Sequence, residues 1–504
     1  MKQLFSIICL AYLVVIACQK EPSLPVLKPI NEAVIQGIDS IYFIGGRDTI
    51  SIYPEITFTQ DSLLQNPDRY QYEWVYLTQP PVSDPWSDYK TISTEKALID
   101  FVIYQELYTS TGPLDFTFRV TDTYTDTYTE FPFRVILGNA YYEGWMLLTE
   151  EDGNARVDML SYKPTTGTFS HLQDVIQFRS PGIHKPIFID EVFGTENELR
   201  LGGIVVGSNQ EIMAFDPEDF WQLFTFHPEL ADIPMADISS MVYQSSYLNQ
   251  ILYVNGMVYN CDERDGFYNN FIAINNVRTD LGGASFHAAP FVAFNYLSAT
   301  SESILFNEDT DDFMWFNGTA YYSEPLVEAN QFDHERPWEL VFLDYTQHMG
   351  GVYFGILRDL KNGDLYWIRF TSNEMLGFNK VAEGSVLYQA ERFALHPYNG
   401  NLYITVGKVL YEYTTTGEHQ LRKFQDDITL LQYERFPLLA DFSNGTTGNR
   451  DRYQGYAEKL IVATHKDADP NNSGKLILYD TENNRAFQQF AGFPKIIDVA
   501  YKER

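Results

Sequence analysis

Apolar and polar side chains alternate along several short segments near the start of the chain. One face of RYQYEWVYL, taken as an extended strand, carries Tyr70, Tyr72, Trp74 and Tyr76. The segment LDFTFRVTDTYTDTYTEFPFRV repeats this period of two on both sides of a Thr- and Asp-rich connection, which is the pattern of a β-hairpin. We therefore predict a β-sandwich of immunoglobulin type over residues 30–138, with Trp74 in its core.

A second pattern recurs from about residue 139 to the end of the chain. A strand ends in a large apolar residue, a polar turn follows, and another strand begins; a partner strand precedes each instance. The apolar residues are Tyr162, Phe215, Ile274, Phe316, Phe370, Tyr413 and Tyr479. Their intervals of about 40 to 65 residues suit one four-stranded propeller blade with its loops. We therefore predict an all-β chain with a seven-bladed β-propeller over 139–504. Six or eight blades, or unrelated hairpins in a large sandwich, are the alternatives.

The first 17 residues have the pattern of an export signal. Lys2 precedes a mostly apolar run of about 14 residues, which is signal-peptide length and too short to span a bilayer comfortably. The run ends in Val15-Ile16-Ala17-Cys18, which resembles the lipobox of bacterial lipoproteins. That resemblance implies cleavage before Cys18 and acylation of this cysteine. An ordinary signal peptide with an incidental cysteine is the alternative.

An acylated Cys18 would be the membrane anchor of the mature chain. Several acyl chains on one cysteine hold stably, because each buried methylene contributes about 0.8 kcal/mol. The Pro-rich and polar residues 18–29 then suit an extended tether between the lipid and the first domain. The other cysteines are Cys9, inside the signal, and Cys261. The mature chain therefore has no pair of structural cysteines for an intramolecular disulfide.

The formal net charge of the chain is −33. Such a balance argues against a nucleic-acid partner, whose phosphates it would repel, and against a body lying on an anionic membrane surface. It keeps a tethered protein soluble.

No stretch of the sequence carries a strong catalytic or metal-binding motif. The nine histidines are not paired at metal-ligand spacing, and HExxH, GxSxG and P-loop patterns do not occur. With 68 Asp and Glu residues, no pair can be singled out as a glycosidase couple. The segment DADPNNSG at 467–474 resembles a calcium loop, but Leu478 stands where the closing glutamate belongs. We predict a hairpin loop there, and no catalytic residue, metal or cofactor.

Most aromatic residues are expected in the blade or sandwich cores, and Trp86 is a notable exception. It lies in PPVSDPWSDY, a proline- and serine-bearing loop without strand alternation. An exposed tryptophan in a loop can contact a ligand or partner, so Trp86 is a candidate contact residue. Packing of the loop on its own domain is the alternative.

The first domain resembles the PKD-like domain that opens certain Bacteroidetes surface lipoproteins. The resemblance rests on Tyr72-x-Trp74 and on FTFRVTD; VYLTQPPVSDP replaces the glycine-rich segment of ordinary PKD domains, so the match is to the divergent form. The order of signal, PKD-like domain and propeller resembles the PKD-like family lipoproteins over nearly the whole chain. That resemblance implies an accessory binding or scaffolding subunit of SusC/SusD-type TonB-dependent importers, which take up glycans or peptides. The implied partners are the importer pair, other surface lipoproteins, and an oligosaccharide or peptide ligand.

Two other classes of function stay open at this point. A propeller hydrolase or lyase would use carboxylates on the central face, and a structural adhesin would need no reaction centre. The resemblance implies an outer-membrane location facing the cell exterior. Export signals of surface lipoproteins are usually acid-rich just after the cysteine, and here only Glu21 is acidic among residues 19–21. The periplasmic face therefore remains an alternative.

Overall fold

Strands form most of the described structure, and the fold is all-β. The structure is a computed structural model that describes residues 30–44, 49–61, 65–77, 89–102, 114–137, 141–163, 166–176, 178, 184–192, 203–209, 211–217, 220–226, 241–245, 249–262, 272–295, 302–327, 329–330, 332, 336–414, 417–436, 439 and 447–503. Contacts between residues divide the chain into two units, Met1–Asn139 and Ala140–Arg504. Each unit has hydrophobic clusters of its own.

The first unit is a two-layered arrangement of strands. Its described strands are β1 (Ala33–Gln36), β2 (Ile41–Ile44), β3 (Thr49–Ile52), β4 (Glu55–Phe58), β5 (Tyr70–Leu77), β6 (Tyr89–Ser93), β7 (Leu98–Val102), β8 (Leu114–Asp122) and β9 (Thr127–Leu137). Five of them form one sheet in the order β2-β9-β8-β5-β6, in which only β2 and β9 are parallel. β1 pairs with β4, and β3 pairs with β7. The predicted hairpin is β8–β9.

The core of the first unit lies between these sheets. Trp74 is completely buried, and its ring centroid lies 4.3 Å from that of Phe118 on the next strand. The indole Nε1 donates a hydrogen bond to the carbonyl oxygen of Glu95 at 2.9 Å, so burial leaves its polar group satisfied. Ile52 and Ile56 of the smaller sheets belong to the same cluster. The prediction of Trp74 as a core residue is confirmed.

The second unit begins with three strands and then repeats a four-stranded sheet. The strands are β10 (Gly144–Glu151), β11 (Asn154–Lys163) and β12 (Thr168–Leu172); β13 (Pro186–Val192), β14 (Gly203–Ser208), β15 (Ile212–Phe215) and β16 (Gln222–Phe226); β17 (Met241–Ser245), β18 (Asn249–Val254), β19 (Met257–Asp262) and β20 (Ile272–Ala273); β21 (Ala293–Phe294), β22 (Ser303–Asn307), β23 (Asp312–Phe316) and β24 (Glu324–Pro325); β25 (Trp338–Thr346), β26 (Val352–Asp359), β27 (Leu365–Phe370) and β28 (Met375–Lys380); β29 (Arg392–Leu395), β30 (Leu402–Val406), β31 (Val409–Thr414) and β32 (Gly417–Lys423); β33 (Asp427–Tyr433), β34 (Leu460–His465), β35 (Gly474–Asp480) and β36 (Arg485–Phe493); and β37 (Lys495–Lys502).

These strands form seven four-stranded antiparallel sheets within the described part of the chain. The last strand, β37, pairs with β10, so the first blade has the order β12-β11-β10-β37 and joins the two ends of the unit. The innermost strands β37, β13 and β17 contact one another in turn, as do β21, β25, β29, β33 and β37. This is the strand arrangement of a seven-bladed β-propeller, which confirms the predicted fold class.

Burial explains why the blades show so few clean alternations in the sequence. The second strand of a blade is covered on both faces by the neighbouring blades, and every residue of β14 and β34 is buried. An apolar run without alternation is the pattern of such a strand. The outermost strand β36 instead alternates between exposed and half-buried residues along most of its length.

One of the seven predicted hairpins is wrong, because its named residue does not lie in the third strand of a blade. In six blades the named residue lies in the third strand, or at its end, and the following strand is the fourth. Ile274 instead follows the fourth strand of its blade, β20, whose third strand is β19. Ile274 is buried, and the polar turn after it is a loop closed by an isolated bridge between Asn276 and Ser285. This local loop imitates the strand-turn-strand pattern.

A single α-helix occurs among the described residues of the propeller. Helix α1 (Thr447–Ala457) lies between β33 and β34. Its sequence, TGNRDRYQGYA, has no apolar stripe, and the helix is held by packing of Tyr453 and Tyr456 against Trp145 and Tyr501 of the first blade. No helix in the ranges that the structure describes is long and apolar enough to cross a membrane.

Candidate functional site

Three innermost strands of the propeller carry an aspartate in the same local setting. Asp190 in β13, Asp344 in β25 and Asp498 in β37 each follow an Ile or Leu. In each case Oδ1 accepts a hydrogen bond from the backbone N–H of the next residue, at 2.9, 2.8 and 2.8 Å, respectively. The repeat therefore presents carboxylates along the strands nearest the propeller axis.

Two of these aspartates belong to a group of four carboxylates, which we name the axial carboxylate cluster: Asp190, Glu191, Glu434 and Asp498. Glu434 directly follows β33 and is only 9% exposed. The negative charges of the other three members all act on it. Asp498 Oδ2 accepts a hydrogen bond from the backbone N–H of Ile189 at 3.0 Å, which ties β37 to β13.

Burial shifts the acid–base behaviour of this cluster. It raises the pKa of Glu434 well above its usual range, and the charges of Asp190 and Asp498 push that pKa further up. Burial also raises the pKa of Asp498 to about 7, although the N–H groups of Ile189 and Val499 oppose the shift. A carboxyl group that titrates near neutral pH can both release and accept a proton. The cluster is therefore chemically suited to proton transfer, or to holding a positively charged group.

The third aspartate of the repeat is compensated differently. Asp344 pairs with the guanidinium group of Arg435, which lies two residues after β33. Burial raises the pKa of Asp344, and the positive charge of Arg435 opposes that shift. The strands nearest the propeller axis thus carry both a group of carboxylates and the Asp344–Arg435 ion pair.

The residues singled out from the sequence fall in different places. Cys18 and Trp86 lie outside the described residues. The segment 467–474 is the connection between β34 and β35, where Ser473 Oγ bonds the backbone N–H and carbonyl of Lys466. That connection is a hairpin loop, as predicted. Among the described residues, no three His, Cys, Asp or Glu side chains are grouped so that they could hold a metal ion.

A second polar region lies on the outer face of the sandwich's five-stranded sheet. Gln71, Thr121 and Tyr128 form one row across β5, β8 and β9, because each is the register partner of the next. The row beside it is Glu73, Arg119 and Glu130. These residues occupy the face opposite to the aromatic core positions. We name the two rows together the outer-face rows.

An ion-pair network fixes the second of the outer-face rows. Arg119 Nη1 lies 3.1 Å from Glu73 Oε2, and Arg119 Nη2 lies 2.8 Å from Glu130 Oε1. Thr91 Oγ1 donates to the remaining oxygen of Glu73 at 2.6 Å. The guanidinium carbon of Arg119 also lies 5.3 Å from the ring centroid of Tyr128, within cation–π distance.

A cavity of about 530 Å³ opens next to these rows. It lies where β6 ends, since β6 pairs with β5 only from Trp74 onward. The cavity is lined by Tyr70, Gln71, Tyr72, Glu73, Thr94 and Thr121. Its size falls in the range of small-molecule binding sites.

Neither region was singled out from the sequence, although a signal for each exists. The axial aspartates recur in FIDEV, FLDYT and IIDVA, and Gln71, Glu73, Arg119 and Thr121 are the polar positions that alternate with the core. A single acidic residue in a strand resembles any solvated residue. Only the strand order reveals which of these positions come together.

Residues 27–180 match the model of the PKD-like family. The match covers the strands of the sandwich and continues through β12 in the first blade. No curated protein matches this chain significantly.

Several solved structures are similar to this chain at low sequence identity. A quinonprotein alcohol dehydrogenase-like protein from Bacteroides thetaiotaomicron has 11% identity and a TM-score of 0.39, covering 91% of this chain and 96% of its own. A protein from Lactobacillus plantarum has 12% identity and a TM-score of 0.39, covering 72% of this chain and 100% of its own. Apo AztD from Citrobacter koseri has 9% identity and a TM-score of 0.35, covering 71% of this chain and 98% of its own.

Proposed function

We propose that this chain is a lipid-anchored accessory subunit that binds or holds a nutrient beside a SusC/SusD-type importer at the outer membrane, facing the cell exterior. The observation that carries the proposal is the match of residues 27–180 to the PKD-like family, directly behind a signal that ends in Cys18. The nutrient is an oligosaccharide or a peptide, and the chain contacts it without cleaving it.

The physical properties of the two units suit such a role. A propeller gathers loops from all its blades at its two ends, so one end can contact a ligand while the other contacts a protein. The formal net charge of −33 favours solubility of a tethered body and repels nucleic acid. The cavity beside the outer-face rows adds a concave polar surface on the sandwich.

Affinity purification of a tagged native copy tests the partner. The tagged chain is extracted from native membranes in mild detergent, at several salt concentrations, and the recovered proteins are identified by mass spectrometry. We expect importer subunits and other surface lipoproteins to be recovered with it. Recovery of the chain alone at every salt concentration would contradict the proposal.

Lipid labelling tests the anchor. Cys18→Ala is expected to abolish incorporation of labelled fatty acid and to release the chain from the membrane fraction, because each lost acyl methylene removes about 0.8 kcal/mol of membrane affinity. Cys261→Ala is the matched control and keeps the label. Equal labelling of the Cys18→Ala chain would sink the lipoprotein assignment, and protease shaving of intact cells separates the exterior face from the periplasmic one.

The axial carboxylate cluster favours one second candidate, a propeller-based hydrolase or lyase. Asp498, whose pKa burial raises to about 7, suits a general acid or base at neutral pH. Product formation from a glycan or peptide by the pure protein, lost in Asp498→Asn, would replace the binding role with this enzymatic one. Unchanged substrate after prolonged incubation supports the binding role.

A further inference from the structure

Tyr128 combines exposure with a fixed ring. The side chain is 52% exposed, on the solvent face of β9. Arg119 lies over its ring at 5.3 Å and is itself held between Glu73 and Glu130. A ring held in this way loses little rotamer freedom when a ligand packs on it, and such preorganisation favours binding. An exposed tyrosine whose ring packs against the Arg119 guanidinium is therefore a suitable platform for a flat, partly apolar ligand surface.

Hydrogen-bonding groups surround this platform on one side. Thr121 is the direct register partner of Tyr128, and it lines the cavity together with Gln71, Thr94 and Glu73. Directly opposite residues of an antiparallel pair have their Cβ atoms about 5 Å apart. The two hydroxyls and the amide can each donate and accept, and the carboxylate accepts. This mixture matches a ligand whose hydroxyl groups also both donate and accept.

The charge of the region selects against ionic ligands. The one cation of the outer-face rows, Arg119, already bonds two carboxylates, Glu73 and Glu130. An anionic group would meet no uncommitted positive charge in these rows, and it would be repelled by the chain as a whole. A cationic group would have to compete with Arg119 for the same carboxylates. A neutral ligand meets neither obstacle.

We propose that the outer-face rows and the adjoining cavity bind a neutral oligosaccharide, with one sugar ring packed on Tyr128 and its hydroxyl groups bonded by Gln71, Thr94 and Thr121. The inference rests on the proposed function for the presence of such a ligand, and it narrows that function from glycan or peptide to glycan.

Affinity electrophoresis of residues 19–504, the chain without its signal and without Cys18, tests this site. The probes are four neutral polysaccharides in the gel: starch, barley β-glucan, arabinoxylan and galactomannan. We expect retardation by at least one of them. Tyr128→Ala should weaken that binding about tenfold, as truncation of a central aromatic contact does. Tyr53→Ala is the matched control, because Tyr53 is 62% exposed and lies between β3 and β4, away from the five-stranded sheet.

A second variant tests the cavity independently of the aromatic platform. Gln71→Ala removes an exposed side chain and should also weaken binding, by about fivefold. Unchanged far-UV circular dichroism in each variant shows that the fold is retained. Equal binding by Tyr128→Ala, Tyr53→Ala and the parent chain would overturn the site. Absence of binding to all four polysaccharides would overturn the inference, and so would retardation only by polygalacturonate or binding only of a Lys-rich peptide.

The outcome can be separated from that of the proposed function. If the Tyr128→Ala chain still recovers importer subunits from native membranes but no form binds a polysaccharide, the inference fails and the accessory role stands. If the parent chain binds a polysaccharide and recovers no importer subunit, the sugar site stands and the accessory role fails.

Discussion

The buried carboxyl groups of Glu434 and Asp498 make the stability of the propeller depend on pH. An aspartate in an unfolded chain has a pKa near 4, whereas burial raises the pKa of Asp498 to about 7. Between these two values the folded state binds more protons than the unfolded state. The free energy of unfolding therefore falls as the pH rises from about 4 to about 7. Burial also raises the pKa of Glu434 well above its usual range, and this shift lowers the free energy of unfolding in the same direction as the pH rises.

Glu434→Gln should stabilise the chain at high pH. Glutamine keeps an oxygen that can accept the backbone N–H of Tyr501, but it carries no charge beside Asp190 and Asp498. We expect a gain of about 1 to 2 kcal/mol at pH 8 and a much smaller difference at pH 4. Urea unfolding at both pH values measures it. Glu383→Gln, at a side chain 88% exposed, is the control and should change little. If the free energy of unfolding depended on pH identically in Glu434→Gln and the parent, the raised pKa assigned to Glu434 would be contradicted.

Asp122 of the sandwich is the opposite case. It is 3% exposed and accepts hydrogen bonds from Arg69 Nε at 2.7 Å and from Asn31 Nδ2 at 3.0 Å. The Arg69 guanidinium holds the pKa of Asp122 well below its usual range. Its contribution to stability is therefore complete above about pH 4 and is lost as the pH falls further.

Removing this charge should destabilise the sandwich. Asp122→Asn is expected to destabilise the sandwich clearly more than the control does at pH 7, because it removes the carboxylate that accepts hydrogen bonds from the Arg69 guanidinium and from Asn31. Asp115→Asn on the same strand is the matched control, since Asp115 is 58% exposed in its pair with Arg134. That exposed pair should be worth less than about 1 kcal/mol. Equal effects of the two substitutions on the urea midpoint would refute the argument.

The core residues were more predictable from the sequence than the polar residues of the two sites. Trp74 and its alternating neighbours were predictable, because burial on one face of a strand imposes a period of two. Asp190 and Asp498 were not predictable as a pair, because 308 positions of chain separate two strands that only the closed ring brings together. Tyr128 looked like part of a Thr- and Asp-rich connection.

At the scale of elements, β37 decides whether the propeller closes. It is the innermost strand of the first blade, paired along β10. Ile496, Val499 and Tyr501 pack in the cluster that also contains Trp145. Without β37, strand β10 would lose its inner partner, and the two ends of the unit would no longer be joined.

Deletion of residues 495–504 should therefore abolish cooperative folding of the propeller. Several fully buried apolar side chains would be exposed, and each is worth about 1.5 to 3 kcal/mol. A chain ending at residue 503 is the control and should unfold like the parent, because it keeps the buried Glu503, whose backbone N–H donates to Glu191 Oε2. The measurement is urea unfolding followed by tryptophan fluorescence, with limited proteolysis of the native state. A sharp transition at the parent's midpoint in the deleted chain would contradict the closure.

The hairpin pattern located most blades because its signal is local. A third strand, a tight turn and a fourth strand lie within about 15 residues, so the alternation and the turn residues reveal them together. The pattern failed at Ile274, where a loop with its own bridge imitates a strand pair. Helix α1 was not predicted from the sequence, because its stability comes from tertiary packing, which is not visible in a short sequence segment.

At the scale of the whole molecule, the two units are expected to fold independently. Each has its own hydrophobic clusters, and the chain divides between Asn139 and Ala140. Fragments 25–138 and 139–504 should each show a cooperative unfolding transition. Two insoluble fragments would refute the division. Failure of the second fragment alone would mean that the propeller needs a strand from upstream.

The all-β architecture could be predicted from patterns in the sequence, whereas the proposed ligand site could not. Export signals and strand periodicity are patterns within short segments of the sequence. The proposed binding surface is instead assembled from residues that are distant along the chain, such as Gln71, Thr121 and Tyr128. The proposed function of the whole molecule therefore depends on its protein partners.

Cross-linking in intact cells tests the proposed association with importer subunits most directly. Cells expressing the native chain are treated with a lysine-reactive cross-linker, and cross-linked peptides are identified by mass spectrometry. Cross-links between SusC-type and SusD-type subunits in the same sample serve as the internal positive control. The account predicts cross-links from this chain to those subunits. Recovery of the control cross-links, with only internal cross-links in this chain, would contradict it.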